Sequence, residues 1–326
     1  MSLADFFKRY PNRRYIMYGG KGGLGKTTFS AATAYYLAKK GKRVLVFSVD
    51  PQASLSDIFE QDIFGRGNVT IIENLLACEV DADRRIQDYQ EEIRQRIISM
   101  YGMKKIPEEI ESYIKASSAE PAMEESAIFD AVVDIVVKGD FDYYIYDLVP
   151  LGHALYYLSM ASIYDAWLEK ITKLREQMRE YDKAIATMKR EESQEDEIYN
   201  ELMYIKDRIG RSSKIMTDTE KTAFFFVLTP EEMTIVDTEK AAQLFAKYNV
   251  PLSGYLVNRV LDRELLKDNI PLYLKNRIEM QSRALDMINQ KFGSSVLSTV
   301  PEFDSEIKGL DVIRNLAEVM FEEKLP

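Results

Sequence analysis

Along much of the chain, short apolar runs alternate with longer stretches of helical periodicity, the pattern of a parallel sheet covered on both faces. Arg14 to Tyr18 is the first run, stopped by Gly19-Gly20. Thr27 to Lys40 reads as a helix, with Gly41 as its C-terminal stop. Val44 to Val49, Tyr143 to Tyr146, Phe224 to Leu228 and Gly254 to Val257 are further runs. Each is short, apolar and rich in β-branched or aromatic residues, as buried parallel strands are.

Two regions break the alternation. From about Asp81 to Lys138 the pattern is mostly helical, with interruptions near Gly102 and Pro107. From about Leu158 to Thr217 it is helical again and densely charged. There Leu168, Ile171, Leu174, Met178, Tyr181, Ile185 and Met188 recur at spacings of three and four. A charged gap, Arg190 to Glu197, separates them from Ile198, Leu202, Ile205 and Ile209. This spacing predicts two amphipathic helices in an antiparallel hairpin. The expected fold is α/β: a mostly parallel sheet flanked by helices, comprising residues 1–80, 139–157 and 218–326. Residues 81–138 and 158–217 form an inserted helical subdomain projecting from the ends of the sheet.

Composition narrows the functional classes. A chain of 326 residues, 46% hydrophobic, can bury a sizeable core. The formal net charge of -10 argues against general nucleic-acid binding and against adhesion to anionic lipid. Cys78 is the one cysteine, which excludes an internal disulfide and suits a reducing compartment. No stretch approaches the roughly 18 uninterrupted apolar residues of a membrane span. Met1 to Tyr10 carries charges and no apolar core, unlike a signal peptide. The C-terminal Ile307 to Pro326 has the mixed charge of a packed final helix rather than of a cationic anchor. These features predict a cytoplasmic protein that binds no nucleic acid and does not insert directly into membranes.

The chemistry is concentrated in Gly20-Lys21-Gly22-Gly23-Leu24-Gly25-Lys26-Thr27-Thr28, between the first strand and the first long helix. Gly20 to Thr27 satisfies G-x-x-x-x-G-K-T, the phosphate-binding loop of P-loop NTPases. Glycines let the backbone turn its N–H groups around phosphates, and the following helix adds the positive end of its dipole. Lys26 would lie against the β- and γ-phosphates, and the Thr27 hydroxyl would ligate Mg²⁺. Lys21 is not required by such a loop. It is either a solvated surface lysine or a charge aimed across a dimer interface at the partner's nucleotide, acting as an arginine finger does.

Lys-Gly-Gly-Leu-Gly-Lys-Thr-Thr resembles the deviant Walker motif of dimeric two-lysine ATPases. Further segments are similar to the arsenite-pump and tail-anchored-protein-targeting branch of that group. Asp50-Pro51-Gln52-Ala53-Ser54-Leu55-Ser56-Asp57 resembles its first switch, and Glu120-Pro121-Ala122-Met123-Glu124-Glu125 a segment before its second. Asp147-Leu148-Val149-Pro150-Leu151-Gly152-His153 looks like the second switch itself. Thr229-Pro230-Glu231-Glu232, Asp237-Thr238-Glu239, Val257-Asn258-Arg259 and Val300-Pro301 extend the likeness over nearly the whole chain.

The resemblance implies a homodimer that hydrolyses ATP with Mg²⁺. It implies that Asp50 orients or deprotonates the attacking water, that Asp147 supports Mg²⁺ and its waters, and that Lys21 acts between protomers. Asn258 would read the adenine edge, helped by Glu231 and Pro301. On residue type alone, Asp50 before Pro51 could also be a turn cap, and Asp147 a turn residue. His153, the only histidine, has no Cys or His neighbour in sequence and reads as a structural member of the second switch.

Departures from the family pattern narrow the role of the ATP. Leu148 and Leu151 stand where threonines are usual, and Ala53 where a histidine is frequent. Many targeting members carry a Cys-x-x-Cys zinc clamp; Asp268 to Lys275 has no cysteine, so no zinc is expected. Three roles remain open. In the first, the dimer carries hydrophobic transmembrane-segment clients or engages a membrane-protein receptor, with Met100, Met103, Met123, Met160, Met178, Met188 and Met203 in or beside the helical insert as an adaptable apolar surface. The same methionines also suit ordinary helix packing. In the second, the chain drives an arsenite or anion pump, although Cys78 alone cannot supply a multi-thiolate metalloid site. In the third, it is a partition or positioning switch.

Overall fold

A computed structural model of the chain describes residues 1–49, 53–101, 105–108, 111, 131–137, 139–148, 169–170, 173, 176, 203, 207, 211, 214–215, 217–247, 250 and 252–325. The chain divides into two compact units. One comprises Met1–Asp81, Asp140–Leu155 and Met216–Pro326, the other Ala82–Gly139 and Tyr156–Ile215.

The first unit is built on an eight-stranded sheet. Its strands are β1 (Tyr15–Gly19), β2 (Val44–Ser48), β3 (Val69–Ile72), β4 (Leu75–Glu79), β5 (Tyr143–Asp147), β6 (Thr222–Leu228), β7 (Leu252–Val260) and β8 (Val296–Pro301). Their spatial order is β3-β4-β2-β5-β1-β6-β7-β8. Every pairing is parallel except the hairpin β3–β4. The five apolar runs read from sequence are β1, shifted by one residue, and β2, β5, β6 and β7, each longer or shorter by one to five residues. Three strands come without an expectation from sequence: β3 and β4, turned at Glu73-Asn74 with Asn74 at φ +66, and the edge strand β8.

Burial explains the apolar runs. Every residue of β2, β5 and β6 is buried, as a sheet covered on both faces requires. Alternate residues of β6 face opposite layers. Phe225 meets Phe6 at 5.0 Å and Tyr18 at 5.6 Å between ring centroids, whereas Phe224 and Phe226 meet Phe245 at 4.3 and 5.2 Å.

The helices supplying these partners are α1 (Leu3–Arg9), α2 (Lys26–Lys39), α3 (Ser54–Phe59) and, later in the chain, α5 (Glu232–Lys247), α6 (Leu272–Lys291) and α7 (Leu310–Phe321). α2 is apolar around most of its circumference, with Phe29, Ala31, Ala32, Ala34, Leu37 and Ala38 all buried. A helix of that composition belongs between two layers, and α2 packs on β1, β2 and β5 and against α7. Tyr36 stacks on Phe321 at 3.7 Å there. α1 begins in a capping box in which Ser2 and Asp5 bond each other's backbone N–H, and it buries Leu3, Phe6 and Phe7.

In the second unit, α4 (Ala82–Tyr101) and residues 131–137 are helical. Ile86, Ile106, Val132, Val133 and Val136 are buried there, and Arg94 binds Glu111 through Nε and a terminal nitrogen at 3.0–3.2 Å. The hairpin read between Leu168 and Ile209, with Met178 and Met188, lies outside the described residues apart from scattered helical positions, as do Met103, Met123 and Met160. Among the described residues no helix is long and apolar enough to cross a membrane.

Phe225 fills the contact between β6 and α1 with no exposed surface. Phe225→Ala is therefore expected to lower the unfolding free energy by about 3–5 kcal/mol, measured by urea denaturation, while Met233→Ala, two-thirds exposed, changes it by less than about 0.5 kcal/mol.

Candidate nucleotide site

The loop after β1 is held open by backbone geometry. Gly20, Gly23 and Gly25 have φ of +148°, +76° and +99°, which side-chain-bearing residues rarely adopt. Two of them also lie against other strands. A Cβ on Gly20 would meet the Val227 carbonyl oxygen at 2.5 Å, and one on Gly25 would meet Asn258 Nδ2 at 2.5 Å. Gly25 is also the N-cap of α2, where no side chain caps the helix. The first turn of α2 therefore directs its N–H groups at the loop. Lys26, 8% exposed, folds back so that Nζ donates to the Lys21 carbonyl at 3.2 Å. An ammonium group inside a ring of left-handed glycines at a helix N-terminus is a polyphosphate cradle.

The strand ends bring acidic and hydroxyl groups beside it. Asp147 closes β5, pairing with Tyr18 on one side and Ser48 on the other, and is 3% exposed. It thus lies at the C-terminal ends of three adjacent strands, where the direction of strand addition reverses and open α/β sheets place ligands. Thr27, half-buried, opens α2 on the same side, and Thr28 follows it. A hydroxyl and a buried carboxylate at the rim of a phosphate cradle fit Mg²⁺, a hard cation that takes oxygen ligands. Asp50 follows β2 by two residues; it lies outside the described residues, as do Glu120 to Glu125 and Val149 to His153.

On the other flank, Asn258 reaches under the loop. Its Nδ2 donates to the Leu24 carbonyl at 2.8 Å, and its Oδ1 accepts from Arg259 N at 2.9 Å. Pro301 ends β8 beside Val260. Glu231 is exposed just before α5, its carbonyl accepting from Ile235 N and from the Thr234 hydroxyl. Gly20 to Thr28, Asn258 and Asp147 are thus brought together along the strand ends; among the described residues the Glu231 side chain makes no hydrogen bond to them.

Lys21 is placed differently from Lys26. Its side chain is half-exposed, and Nζ donates to Asp237 Oδ2 at 3.3 Å and to Met233 Sδ at 3.5 Å, both on α5 of its own chain. A cleft of about 370 Å³ lies beside it, lined by Leu24, Phe226, Asp237, Lys240 and Leu244 among others. Asp237 belongs to a family-like segment that assigns it no role. Glu79, fully buried, belongs to no motif. It accepts from Leu55 N at 2.6 Å and Ser56 N at 3.0 Å, fixing the first turn of α3 just after the Asp50 segment. An isolated Glu ending an apolar strand gives no sequence signal for that role.

A family model described as anion-transporting ATPase matches residues 13–322, from the start of β1 past the end of α7. The chain belongs to the anion-transporting ATPase family. It is an ATPase. Over 309 residues it is 30% identical to a protein of Aquifex aeolicus named arsenical pump-driving ATPase 2, covering 94% of this chain and 99% of that one. It is 28% identical to ATPase get3 of Pyrenophora tritici-repentis, covering 96% and 92% of the two chains. A protein of Halobacterium salinarum named arsenical pump-driving ATPase is also 28% identical, over 94% of this chain and 44% of its own length.

Within this family member the thiol is withdrawn from chemistry. Cys78 is buried in β4, and burial, then the neighbouring Glu79, pushes its pKa up to about 11. The thiolate is the nucleophile and metal ligand, and it is scarce at neutral pH under that shift. Two outcomes follow. At pH 7.5 a maleimide is expected to leave Cys78 unlabelled by mass spectrometry until denaturant is added. Gly25→Ala is expected to abolish binding of a fluorescent ATP analogue while far-ultraviolet circular dichroism stays as in wild type, since the methyl group displaces the Asn258 amide and Ala resists φ near +99°.

Proposed function

We propose that the chain works as a homodimeric, Mg²⁺-dependent ATP hydrolase in the cytoplasm, whose nucleotide-gated closing controls client binding by the helical unit, and that the clients are hydrophobic segments of membrane proteins awaiting targeting. The observation that carries the dimeric mechanism is the placement of Lys21. Its side chain leaves the loop toward α5, where it makes a half-exposed pair with Asp237 and a contact with Met233 Sδ. Exposed pairs of this kind contribute about 0–1 kcal/mol, so a partner's phosphates can replace Asp237 at little cost.

In this mechanism the loop N–H groups and Lys26 bind the β- and γ-phosphates. Thr27 and Asp147 hold Mg²⁺, which neutralises phosphate charge when bound. Asp50 orients the attacking water and accepts its proton. The water oxygen bonds to the γ-phosphorus as the bond to the β,γ-bridging oxygen breaks, leaving ADP and inorganic phosphate. The partner's copy of the lysine at position 21 stabilises the charge that develops on the equatorial oxygens. Binding of ATP to the closed state and of client to the helical unit are then linked reciprocally.

The pump-driving role is the second reading, and relatives carrying that name favour it. Against metalloid activation of the thiolate kind stands Cys78, the only cysteine, buried and protonated. A partition or positioning switch has the least support, because the net charge is -10 and the C-terminal α7 packs on the core.

Phosphate release by the purified protein tests these readings. Lys21→Ala and Asp50→Asn are each expected to lower kcat by about 10³-fold or more. A synthetic transmembrane helix is expected to co-purify with the dimer in ATP and not in ADP. Normal turnover by Lys21→Ala would remove the two-lysine dimer mechanism. Loss of turnover without peptide capture would retain the ATPase mechanism and shift the role to driving a pump.

A further inference from the structure

Gln281 lies on α6, on the far side of β7 from the phosphate loop in sequence, and is 7% exposed. Its Oε1 accepts from Leu261 N at 2.9 Å and its Nε2 donates to the Arg259 carbonyl at 2.9 Å. A polar side chain so buried, with both ends of its amide committed to one short backbone segment, fixes the position of that segment.

The segment needs fixing. Arg259 has φ +58°, a left-handed conformation that costs a side-chain-bearing residue roughly 1–2 kcal/mol. The sheet restrains the segment only at its two sides. Pairing of β7 with β6 runs to Leu228–Val257, and pairing with β8 breaks after Val257 and resumes at Val260–Pro301. Asn258 and Arg259 therefore lie in an irregularity of β7 where neither neighbouring strand pairs with them. From there a continuous hydrogen-bonded path leads to the glycine loop. Gln281 holds the Arg259 carbonyl, the Arg259 N–H holds Asn258 Oδ1, and Asn258 Nδ2 holds the Leu24 carbonyl.

The geometry points to Gln281 as a positioning residue that sets the base specificity of the nucleotide site through the Arg259 turn and Asn258. The inference rests on the reading of Asn258 as the adenine contact. A primary amide has two donor hydrogens and an acceptor oxygen with two lone pairs. One donor goes to Leu24 and one lone pair to Arg259, which leaves a donor and an acceptor side by side. Adenine presents the complementary pair, an N6 amino donor beside a ring-nitrogen acceptor; guanine presents O6 and N7, both acceptors. Discrimination therefore depends on the rotation of the Asn258 amide, which the left-handed Arg259 sets. Without the clamp, relaxation of Arg259 to negative φ turns the amide away.

The test is steady-state hydrolysis of ATP and GTP by the full chain as wild type, Gln281→Leu, Gln281→Glu, Asn258→Ala and the double variant Gln281→Leu/Arg259→Gly. Gln281→Leu is expected to raise KM for ATP about tenfold with kcat within about threefold of wild type, and to leave KM for GTP nearly unmoved, the tenfold being the left-handed penalty released. Gln281→Glu keeps the acceptor for Leu261 and places an oxygen against the Arg259 carbonyl, so it gives the same shift if the leucine variant fails to fold. Arg259→Gly adopts positive φ without a clamp and is expected to restore most of the ATP preference. A wild-type ATP-to-GTP ratio in both Gln281 variants, alongside a collapsed ratio in Asn258→Ala, overturns the role of Gln281 and leaves the base contact standing. A ratio unmoved by Asn258→Ala overturns the base contact, and the role of Gln281 with it.

Discussion

The shape of the glycine loop depends on two strands that leave Gly20 and Gly25 no room for a side chain. Gly20 rests on the Val227 carbonyl of β6, and Gly25 rests on the Asn258 amide of β7, each at a distance that excludes a Cβ. The same two glycines take φ values that turn the peptide planes. Steric exclusion and backbone hand thus point the same way, so the loop's shape is imposed by the sheet below it. The sheet in turn is held by aromatic packing on both faces of β6, with Phe225 against α1 and Phe224 and Phe226 against Phe245. A site of this kind is preorganised before any ligand arrives, which is how fixed dipoles act on phosphate without reorganising.

What the sequence made legible follows from these constraints. Strands buried on both faces must be apolar throughout, so β1, β2, β5, β6 and β7 stand out as runs. The glycine loop is legible for the same steric reason. Strands at the sheet's margins are different. β8 is an edge strand with Ser298 and Thr299 in its middle, and β3 has one buried residue of four, so neither shows a run. The turn between β3 and β4 did leave a mark, because Asn74 is a residue type that tolerates left-handed backbone. α1 left one too, in Ser2 and Asp5 three residues apart, followed by apolar positions at helical spacing. Glu79 and Gln281 left none. A carboxylate at a strand end and an amide within a helix look like solvated residues until burial and partners are known.

Two lysines five residues apart show how local backbone decides function. Lys26 begins α2 and is drawn into the cradle, with its ammonium group on the Lys21 carbonyl. Lys21 sits among the glycines before the helix starts, and its side chain leaves the loop toward α5. One charge is desolvated and turned onto the loop's own backbone. The other stays in solvent, where its pairing is weak and exchangeable.

Asn258 joins the glycine loop to the end of β7. It bonds the Leu24 carbonyl and the Arg259 N–H, close to where Pro301 closes β8 next to Val260. On the proposed reading of Asn258 as the base contact, rotation of its amide affects both ends of a bound nucleotide. The energetic stake is about 1 kcal/mol for each hydrogen bond gained or lost, and more where a buried group is left unsatisfied. Gln281 ties the backbone on both sides of Val260 to α6, next to that amide. Residues on β7 and α6 thus connect to a loop more than 200 positions earlier in the chain, because the sheet brings the C-terminal ends of its parallel strands to one edge.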